Sequence, residues 1–365
     1  MAPLSIGVDA RELIGEATGV GRYLGELLRR WLERSDRQTR RLLLYSPEPL
    51  GVVIPGDVGE VRVIGRRPGG TWWEQTSLRA AVRRDRPDVF FAPAYTAPLG
   101  TRIPLAVTVH DISFVAHPEW FRASEGLRRR WLTRRAAHTA SVVLTDSEFS
   151  KSEIERHLQV DRGRVRVIRP GVTRREGGRP TPREPIVLFV GSLFNRRRLP
   201  DLIAAFARAS VDVPRARLVI VGANRTWPPQ DLPAVAAAEG VAARTEFLSY
   251  VDDDRLVELY GRASVFVFLS EYEGFGLTPL EAMSAGVPPV VLDTAVAREV
   301  YAPAAVFVRA GDLSSAADAI RRLLLDREAA GRVLAAAPEV LARYSWERAA
   351  DETLEAVSSA ARGRI

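Results

Sequence analysis

The sequence predicts an α/β protein built from two doubly wound parallel sheets, and three observations support this prediction. Short apolar runs alternate with amphipathic stretches along the 365 residues, as in the strand–helix–strand units of a parallel sheet. A chain of this length is expected to form two domains. The stretch from Arg169 to Pro180 is rich in Gly, Pro and Arg, has no hydrophobic period, and divides two series of elements. We therefore expect a first domain over residues 1–172, a second over 183–345, and a helix over 346–365 that packs back toward the first domain.

The elements follow from the apolar runs in chain order. In the first half the predicted strands are 4–8, 41–45, 61–64, 88–91, 104–109 and 142–145, and the predicted helices include 19–33, 74–84 and 148–157. In the second half the predicted strands are 186–190, 217–221, 245–248, 265–268 and 289–292, and the predicted helices are 199–210, 231–239, 253–262, 279–285 and 313–325. Ligands of such sheets bind beyond the carboxyl ends of the strands, so we expect the chemistry in the loops that follow them.

Composition excludes several classes of protein. The chain is 46% hydrophobic and 27% charged, which is typical of a folded globular protein. It has no cysteine, so disulfides, thiolate metal sites and a cysteine nucleophile are excluded. The net charge of +7 comes mostly from arginine, and we infer no nucleic-acid binding from it. The N-terminus lacks a leader pattern and no run is long enough to span a bilayer, so we expect a cytoplasmic protein.

The most informative segment runs from Ser270 to Pro288. It follows the strand 265–268, contains two glycines that let backbone amides approach a ligand, and then begins a helix, which is an arrangement that binds anions. Glu273 and Glu281 flank that point as acceptors for sugar hydroxyls. Two other interpretations remain open. Glu273 could be a solvated loop carboxylate, and Glu281 could complete a capping box in which Thr278 is the N-cap.

This segment resembles the signature of glycosyltransferase family 4, the retaining, nucleotide-sugar-dependent enzymes of the GT-B fold, in which two Rossmann-like domains face a central cleft. The resemblance extends over most of the chain. It includes the segments Gly19-Val20-Gly21-Arg22-Tyr23, Val109-His110-Asp111, Thr145-Asp146-Ser147-Glu148-Phe149-Ser150, Gly191-Ser192-Leu193 with Arg196-Arg197, Leu218-Val219-Ile220-Val221-Gly222 and Phe247-Leu248-Ser249-Tyr250-Val251.

The resemblance implies a role for each matching residue. Four would act in catalysis: His110 near the transferred sugar, Glu273 on the sugar hydroxyls, and Arg196 and Arg197 on the diphosphate. The remaining positions would bind the donor: Gly19, Gly21, Ser192, Tyr250, Val251, Gly274, Phe275, Gly276, Leu277 and Glu281. Fixed guanidinium groups and helix-end amides stabilise a departing diphosphate without a metal or other cofactor. Retention without an evident nucleophile suggests, by analogy with the family, a front-face substitution in which His110 orients and does not attack.

The sequence departs from the family pattern at four positions in or beside these segments. The usual lysine is Arg197, which keeps the charge but replaces a point charge by a planar fork. Thr278 stands where proline is usual, Ser249 where glycine is usual, and Asn195 where proline is frequent. None of these changes removes an essential charge.

Structural alternatives stand beside the catalytic roles. His110 could be a structural histidine at the end of an apolar strand, Gly19 to Gly21 could open a helix, and Arg196 to Arg198 could be a solvated helix start. The basic segment 128–135 could contact anionic lipid at the inner face of a membrane, or it could be a solvated arginine-rich face.

Three other functions are weighed against a transferase. A dinucleotide-dependent enzyme would use Gly19-x-Gly21-x-x-x-Gly25, but about ten residues separate these glycines from the first strand. A metal-dependent transferase would use Asp252, Asp253 and Asp254, which fit better as N-cap and first-turn charges of a helix. A non-catalytic sugar-nucleotide-binding protein is the third.

We expect a retaining glycosyltransferase that moves a hexose from a nucleoside diphosphate to a saccharide or lipid-linked acceptor in bacterial polysaccharide or glycolipid assembly. The segments Trp73-Glu74-Gln75, Ala92-Pro93-Ala94-Tyr95 and His110-Asp111 look similar to bacterial mannosyltransferases, which favours GDP-mannose as donor. The N-terminal loops 64–76 and 112–127 are expected to select the acceptor.

Overall fold

Two compact units make up the chain, and each contains one parallel sheet. The computed structural model describes residues 3–15, 19–51, 55–65, 70–173 and 183–363. The first unit comprises Met1–Ala116, Ala123–Gly171 and Ser345–Ile365, and the second comprises His117–Arg122 and Val172–Tyr344. Residues 117–122, which the sequence assigned to the first domain, therefore group with the second unit. Part of the interdomain stretch, 174–182, lies outside the described residues.

The first unit contains a seven-stranded sheet with every pairing parallel. Its strands are β1 (Leu4–Asp9), β2 (Arg40–Ser46), β3 (Gly59–Val63), β4 (Val89–Ala92), β5 (Leu105–Thr108), β6 (Val142–Thr145) and β7 (Val165–Val167). Their order is β3-β2-β1-β4-β5-β6-β7, with Ile6 opposite Leu42 on one side and Val89 on the other. The winding direction reverses between β1 and β4, so a crevice opens at the carboxyl ends of these two strands.

The helices of this unit follow its strands. They are α1 (Gly19–Glu33), α2 (Thr71–Trp73), α3 (Arg79–Asp85), α4 (Ser113–Ala116), α5 (Ala123–Thr139) and α6 (Glu148–Glu153). A π-helical segment, Glu74–Leu78, joins α2 to α3, and another, Ile154–Leu158, extends α6. The apolar side of α1 buries Leu24, Leu27 and Trp31 against the sheet, because hydrophobic residues at this spacing lie on one helix face.

The second unit repeats the architecture with six parallel strands. They are β8 (Ile186–Val190), β9 (Arg217–Val221), β10 (Thr245–Leu248), β11 (Val265–Phe268), β12 (Pro289–Leu292) and β13 (Val306–Val308), in the order β10-β9-β8-β11-β12-β13. Its helices are α7 (Leu199–Ala209), α8 (Leu232–Ala238), α9 (Asp253–Arg262), α10 (Leu277–Ser284), α11 (Ala295–Tyr301), α12 (Leu313–Leu325), α13 (Arg327–Leu334) and α14 (Ala337–Ala342). The reversal of winding falls between β8 and β11.

The last helix, α15 (Trp346–Ala361), belongs to the first unit. It contacts α1, β4, β5 and β6, and the indole Nε1 of Trp31 donates to the carbonyl oxygen of Ala350 over 2.9 Å. Trp346 is 4% exposed and part of the same apolar core as Ile6 and Phe91. A side chain at Gly171 would overlap the backbone and ring of Trp346, so only glycine fits at this position.

Candidate active site

The predicted residues Arg196, Arg197 and Glu273 lie where the two central strands of the second sheet end. The loop after β8 carries Arg196 and Arg197, and the loop after β11 carries Glu273. Because β8 and β11 are neighbours, their loops meet at the carboxyl edge of the sheet. The N–H of Glu271 donates to the carbonyl oxygen of Arg196 over 2.9 Å and joins them. This edge is the position at which doubly wound sheets bind their ligands.

Glu273 is the centre of the site, and its side chain is buried among polar partners. Its Oε1 accepts hydrogen bonds from Arg197 Nε and from the hydroxyl of Ser270, each over 2.9 Å. The Nε of Arg196 lies 3.8 Å from the same oxygen. The sequence analysis assigned Glu273 to the sugar hydroxyls and the two arginines to the diphosphate. In the structure the three side chains form one ionic cluster. A solvated loop carboxylate is therefore the wrong interpretation of Glu273, which is 9% exposed.

The charges of this cluster keep Glu273 ionised. Burial by itself raises the pKa of the Glu273 carboxyl group. The positive charges of Arg197 and Arg196, and the hydrogen bonds from Arg197 and Ser270, act in the opposite direction and leave the pKa below its usual value. Two guanidinium groups around one carboxylate give the cluster a net positive charge, which suits an anionic ligand.

Gly191 gives Arg197 its position. The Nη1 of Arg197 donates to the carbonyl oxygen of Ser192 over 2.8 Å, and its guanidinium lies 5.1 Å from the ring centroid of Phe268. Gly191 has φ +140, and a Cβ there would overlap Nη1 of Arg197. The first glycine of the Gly191-Ser192-Leu193 segment is therefore required so that the guanidinium can reach Glu273.

The hydroxyl of Tyr301 holds the glycine-containing turn before α10 in place. Gly276 has φ +85 and precedes the helix without a side-chain cap, so the first amides of α10 have no cap acceptor at that position. The buried hydroxyl of Tyr301 lies 2.8 Å from the carbonyl oxygen of Gly276 and 3.1 Å from that of Phe275, where it donates. Phe275 is buried edge-on against Tyr344, with ring centroids 5.1 Å apart. The carbonyls of the turn thus point into the core.

The capping-box interpretation of Glu281 is wrong. Helix α10 begins at Leu277 with Gly276 as its N-cap, so Thr278 lies inside the helix. Glu281 is 4% exposed, and its Oε2 accepts from the hydroxyl of Tyr260 over 3.3 Å. Glu281 thus lies in the second turn of α10 as a buried carboxylate and not as part of a surface cap. Contact with ribose stays a prediction.

The strand-end residues predicted to lie against the nucleobase are accessible. Tyr250 follows β10 and is 55% exposed, and Val251 beside it is partly buried. Asp252 is the N-cap of α9, where its carboxylate accepts from the N–H of Arg255 over 2.8 Å. This confirms the interpretation of Asp252 to Asp254 as cap and first-turn charges. Over the described ranges, no three His, Asp or Glu side chains are grouped so that they could hold a metal ion.

The glycines of the first unit are helical. Gly19 and Gly21 occupy the first turn of α1, in agreement with the predicted helix over 19–33 and with the helix-opening alternative. Residues 16–18, immediately before them, lie outside the described part of the chain. Contact of Gly19 and Gly21 with a donor stays a prediction.

His110 follows β5 and is held at both ring nitrogens. Its Nδ1 lies 2.8 Å from a carboxylate oxygen of Asp146, and its Nε2 lies 2.9 Å from the carbonyl oxygen of Pro93. Burial lowers the pKa of the imidazole. The charge of Asp146, its hydrogen bond and the bond to Pro93 more than compensate, so the pKa lies above its usual value. Asp146 follows β6 and belongs to the segment Thr145 to Ser150, which carries part of the family resemblance. The sequence does not show that its side chain contacts His110.

A second ionic cluster lies at the carboxyl end of β1. Arg11 Nη2 is 2.9 Å from an oxygen of Asp9 and 3.3 Å from an oxygen of Glu74. The other oxygen of Glu74 accepts from the hydroxyl of Thr96 over 2.9 Å. Sequence reasoning quoted Glu74 only as part of a resemblance and missed Asp9 and Arg11, although charged residues directly after the first strand of a doubly wound sheet are a usable signal.

Two doubly wound parallel sheets, with a basic site beside a glycine-containing turn at the carboxyl edge of the second, form the architecture of the GT-B class. Residues 17–176 match the family described as Glycosyltransferase Family 4, and residues 173–340 match the one described as Glycosyl transferases group 1. The two matches together span residues 17–340, and the chain is therefore a glycosyltransferase of the GT-B type.

A curated relative is similar in sequence, and two solved structures have the same fold. The O-antigen chain mannosyltransferase B of Escherichia coli is 28% identical over 297 residues, which are 76% of this chain and 75% of that protein. WaaG, a glycosyltransferase involved in lipopolysaccharide biosynthesis, has the same fold with a TM-score of 0.78 at 15% identity, over 97% of this chain and 99% of that one. Anabaena HepE, solved in complex with UDP-glucose, gives a TM-score of 0.75 at 19% identity, over 97% and 99% of the two chains.

Proposed function

We propose that the protein is a retaining, metal-independent hexosyltransferase that moves mannose from GDP-mannose to a saccharide or lipid-linked acceptor in bacterial polysaccharide or glycolipid assembly. The observation that carries the proposal is the buried cluster of Glu273 with Arg197 and Arg196 beside the first turn of α10. Two guanidinium groups and one carboxylate lie together there, at the carboxyl edge of the sheet.

In this proposal the two arginines and the first amides of α10 bind the donor diphosphate. Cleavage of the bond between sugar and phosphate leaves negative charge on the phosphate, which preorganised guanidinium and amide donors stabilise. Glu273 accepts from hydroxyl groups of the sugar because its carboxylate is ionised and fixed by Arg197 and Ser270. Glu281 binds ribose hydroxyls, and Tyr250 lies against the base. The acceptor hydroxyl attacks from the face that the phosphate leaves, and a phosphate oxygen takes its proton.

Mannose is favoured because the E. coli relative is named an O-antigen chain mannosyltransferase. UDP-glucose, which HepE binds, is the main competing donor. A thermal-shift panel of GDP, UDP, ADP, dTDP and NAD(P) in chelator distinguishes them, since a ligand at about 100 times its Kd adds roughly 2.7 kcal/mol to the free energy of unfolding. We expect GDP alone to give a large shift. Transfer from GDP-mannose with retained α-configuration, followed by NMR of the product, then tests the reaction, and an NAD(P)-only response contradicts the proposal.

We also propose that α5 rests on the anionic cytoplasmic face of the membrane. Leu127 and Trp131 lie one turn apart on α5 and are 62% and 59% exposed, and Arg128 and Arg135 are exposed beside them. Exposed apolar side chains with arginines suit the interface of an anionic bilayer. None of the helices in the described ranges is long and apolar enough to cross a bilayer, so the proposed contact is peripheral.

Vesicle flotation tests this contact. We expect binding to phosphatidylglycerol vesicles, no binding to phosphatidylcholine vesicles, and loss of binding in Trp131→Ser. Leu325→Ser is the matched control, because Leu325 on α12 is also 59% exposed. Equal binding of wild type and Trp131→Ser contradicts the proposed surface.

A further inference from the structure

His110 connects the carboxyl ends of three adjacent strands. The residue follows β5, which lies between β4 and β6 in the sheet. One ring nitrogen contacts Asp146, which follows β6, and the other contacts the carbonyl of Pro93, which follows β4. The backbone oxygen of His110 accepts from the hydroxyl of Ser150 over 3.1 Å. The ring is thereby fixed between the strand ends.

The partners of the two nitrogens determine the protonation of the ring. A peptide carbonyl only accepts hydrogen bonds, and so does an ionised carboxylate. With the carboxylate of Asp146 ionised, Nε2 donates to Pro93 and Nδ1 donates to Asp146, and the ring in this arrangement is an imidazolium. No ring nitrogen is left to take a proton from a substrate. General-base chemistry by His110 is therefore excluded in this arrangement.

The groups around the ring favour the cation. The rings of Tyr23 of α1 and Tyr95 after β4 stand roughly perpendicular to the imidazole, with centroids 5.0 and 5.7 Å from its own. The carboxylates of Asp146 and Asp111 raise the pKa of His110 against the effect of burial. Glu12, after β1, interacts electrostatically with Arg11, with His110 and with Arg129 of α5.

Pro93 begins a turn, residues 93–96, that is held in an unusual conformation. Tyr95 has φ +59, a region that a large side chain rarely adopts and that persists only where neighbouring contacts impose it. Its N–H donates to the carbonyl of Thr108 over 2.8 Å, and the Arg129 guanidinium lies 4.5 Å from the centroid of its ring. The next residue, Thr96, donates to Glu74.

We infer that His110, kept doubly protonated by Asp146, is a positioning residue that fixes turn 93–96 through the carbonyl of Pro93, and that this turn contacts the acceptor saccharide. The inference rests on the proposed function. The turn lies at the carboxyl end of β4, beside β1, where the winding of the first sheet reverses and a ligand is expected. Its tyrosine, threonine and neighbouring carboxylate are groups that pair with sugar hydroxyls.

The inference predicts how acceptor binding depends on pH. While His110 is charged, both bonds are present. When pH rises through its elevated pKa, Asp146 retains the proton on Nδ1, and the bare Nε2 then faces the carbonyl oxygen of Pro93. Two acceptors repel, so the turn shifts and the KM for acceptor rises. The KM for donor, whose proposed ligands lie on the second unit, changes less.

Asp146→Asn tests this pH dependence because it removes the charge and keeps the shape. The probe is transfer from GDP-mannose, and from UDP-glucose if only UDP stabilises the protein, to methyl glycosides of mannose, glucose, galactose and rhamnose. We expect the rise in acceptor KM to move to lower pH in Asp146→Asn. The matched control is Glu153→Gln, whose carboxylate lies 3.6 Å from His157, and its pH profile should match that of the wild type. An unchanged profile in Asp146→Asn overturns the inference.

A second measurement needs neither a variant of Asp146 nor activity. Imidazole ¹⁵N–¹H spectra of the wild type, with the His110 signals assigned by their loss in His110→Gln, should show both ring nitrogens protonated at neutral pH. A neutral imidazole overturns the inference even if Asp146→Asn does not fold. Donor hydrolysis with no transfer to any glycoside overturns the acceptor assignment and leaves the proposed donor chemistry intact. If neither sugar nucleotide is turned over, that result contradicts the proposed function instead. The spectra then still test whether both ring nitrogens of His110 are protonated, as the inference requires.

Discussion

The guanidinium of Arg197 and the carboxylate of Glu273 form a direct ion pair, 2.9 Å from Nε to Oε1, across the ends of β8 and β11. The two side chains are 14% and 11% exposed, so little water screens the pair. Each group is thus placed by the other before any ligand arrives. Preorganisation of this kind is what charge stabilisation in a transition state requires.

Arg197→Ala and Glu273→Ala should each lower turnover by on the order of 10²-fold or more, because each removes a group placed for charge stabilisation. Each should also lower the free energy of unfolding by about 3 kcal/mol, since the remaining charge stays buried without its partner. In the double variant, stability should recover part of that loss while turnover does not. Denaturant melts and initial rates measure both quantities. Arg198→Ala is the control, because Arg198 forms partly exposed ion pairs with Glu271 and Asp201. A similar loss of rate in Arg198→Ala would contradict the special role of Arg197.

Gly276→Ala should destabilise the protein more than Gly311→Ala. Both glycines have similar positive φ, +85 and +80, but only at Gly276 would a Cβ overlap the Tyr301 hydroxyl. The backbone strain of about 1–3 kcal/mol is common to both variants, and the difference between their melting curves isolates the overlap. Tyr301→Phe combined with Gly276→Ala should restore part of the difference. Equal destabilisation of the two alanine variants would show that the turn moves away from Tyr301 at little cost.

Glu281→Gln should weaken binding of GDP about tenfold, since a hydrogen bond to a charged group contributes roughly 1.5 kcal/mol or more. It should leave the affinity for 2′,3′-dideoxy-GDP unchanged, because that analogue has no ribose hydroxyl to donate. Calorimetric titration of both nucleotides into both proteins gives the comparison. Tyr260→Phe, which removes the hydroxyl that donates to Glu281, shows how much of the effect passes through the buried partner. An equal loss for both nucleotides in Glu281→Gln would assign a structural role to Glu281.

The Asp9–Arg11–Glu74 cluster should make stability depend on pH. Burial raises the pKa of the Glu74 and Asp9 carboxyl groups, and the charge of Arg11 offsets this only in part. The folded protein then binds these protons more tightly than the unfolded chain, so its free energy of unfolding gains as pH falls through the raised pKa values toward the ordinary carboxyl pKa of about 4. Glu74→Gln should lose part of that gain in denaturant melts across this range. Glu246→Gln, an exposed position on β10, is the control, and parallel profiles for wild type and Glu74→Gln would contradict the prediction.

The sequence allowed the architecture and the donor segment to be predicted because both depend on local pattern. Apolar runs located eleven of the strands now seen between Leu4–Asp9 and Pro289–Leu292. They missed Val165–Val167 and Val306–Val308, which are three-residue edge strands with partly exposed side chains and so carry little hydrophobic signal. Helix α11 was missed as well, although Thr294 caps it.

The pairings within the sites could not be predicted in the same way. Arg197 and Glu273 are 76 residues apart, and His110 and Asp146 are 36 apart, so no spacing rule joins them. Only the order of the strands brings their loops together. The capping box failed because Gly276, with its positive φ, starts α10 two residues earlier than the Thr278-Pro279 pattern indicates.

Helix α15 completes the core of the first unit with residues from the far end of the described chain. Residues of β1 and α1, made early in translation, therefore keep an uncovered apolar surface until Trp346 and the residues after it leave the ribosome. The second unit, whose strands end at Val306–Val308, can assemble before then. During synthesis, the core of the first unit is therefore completed only after the second unit has been made.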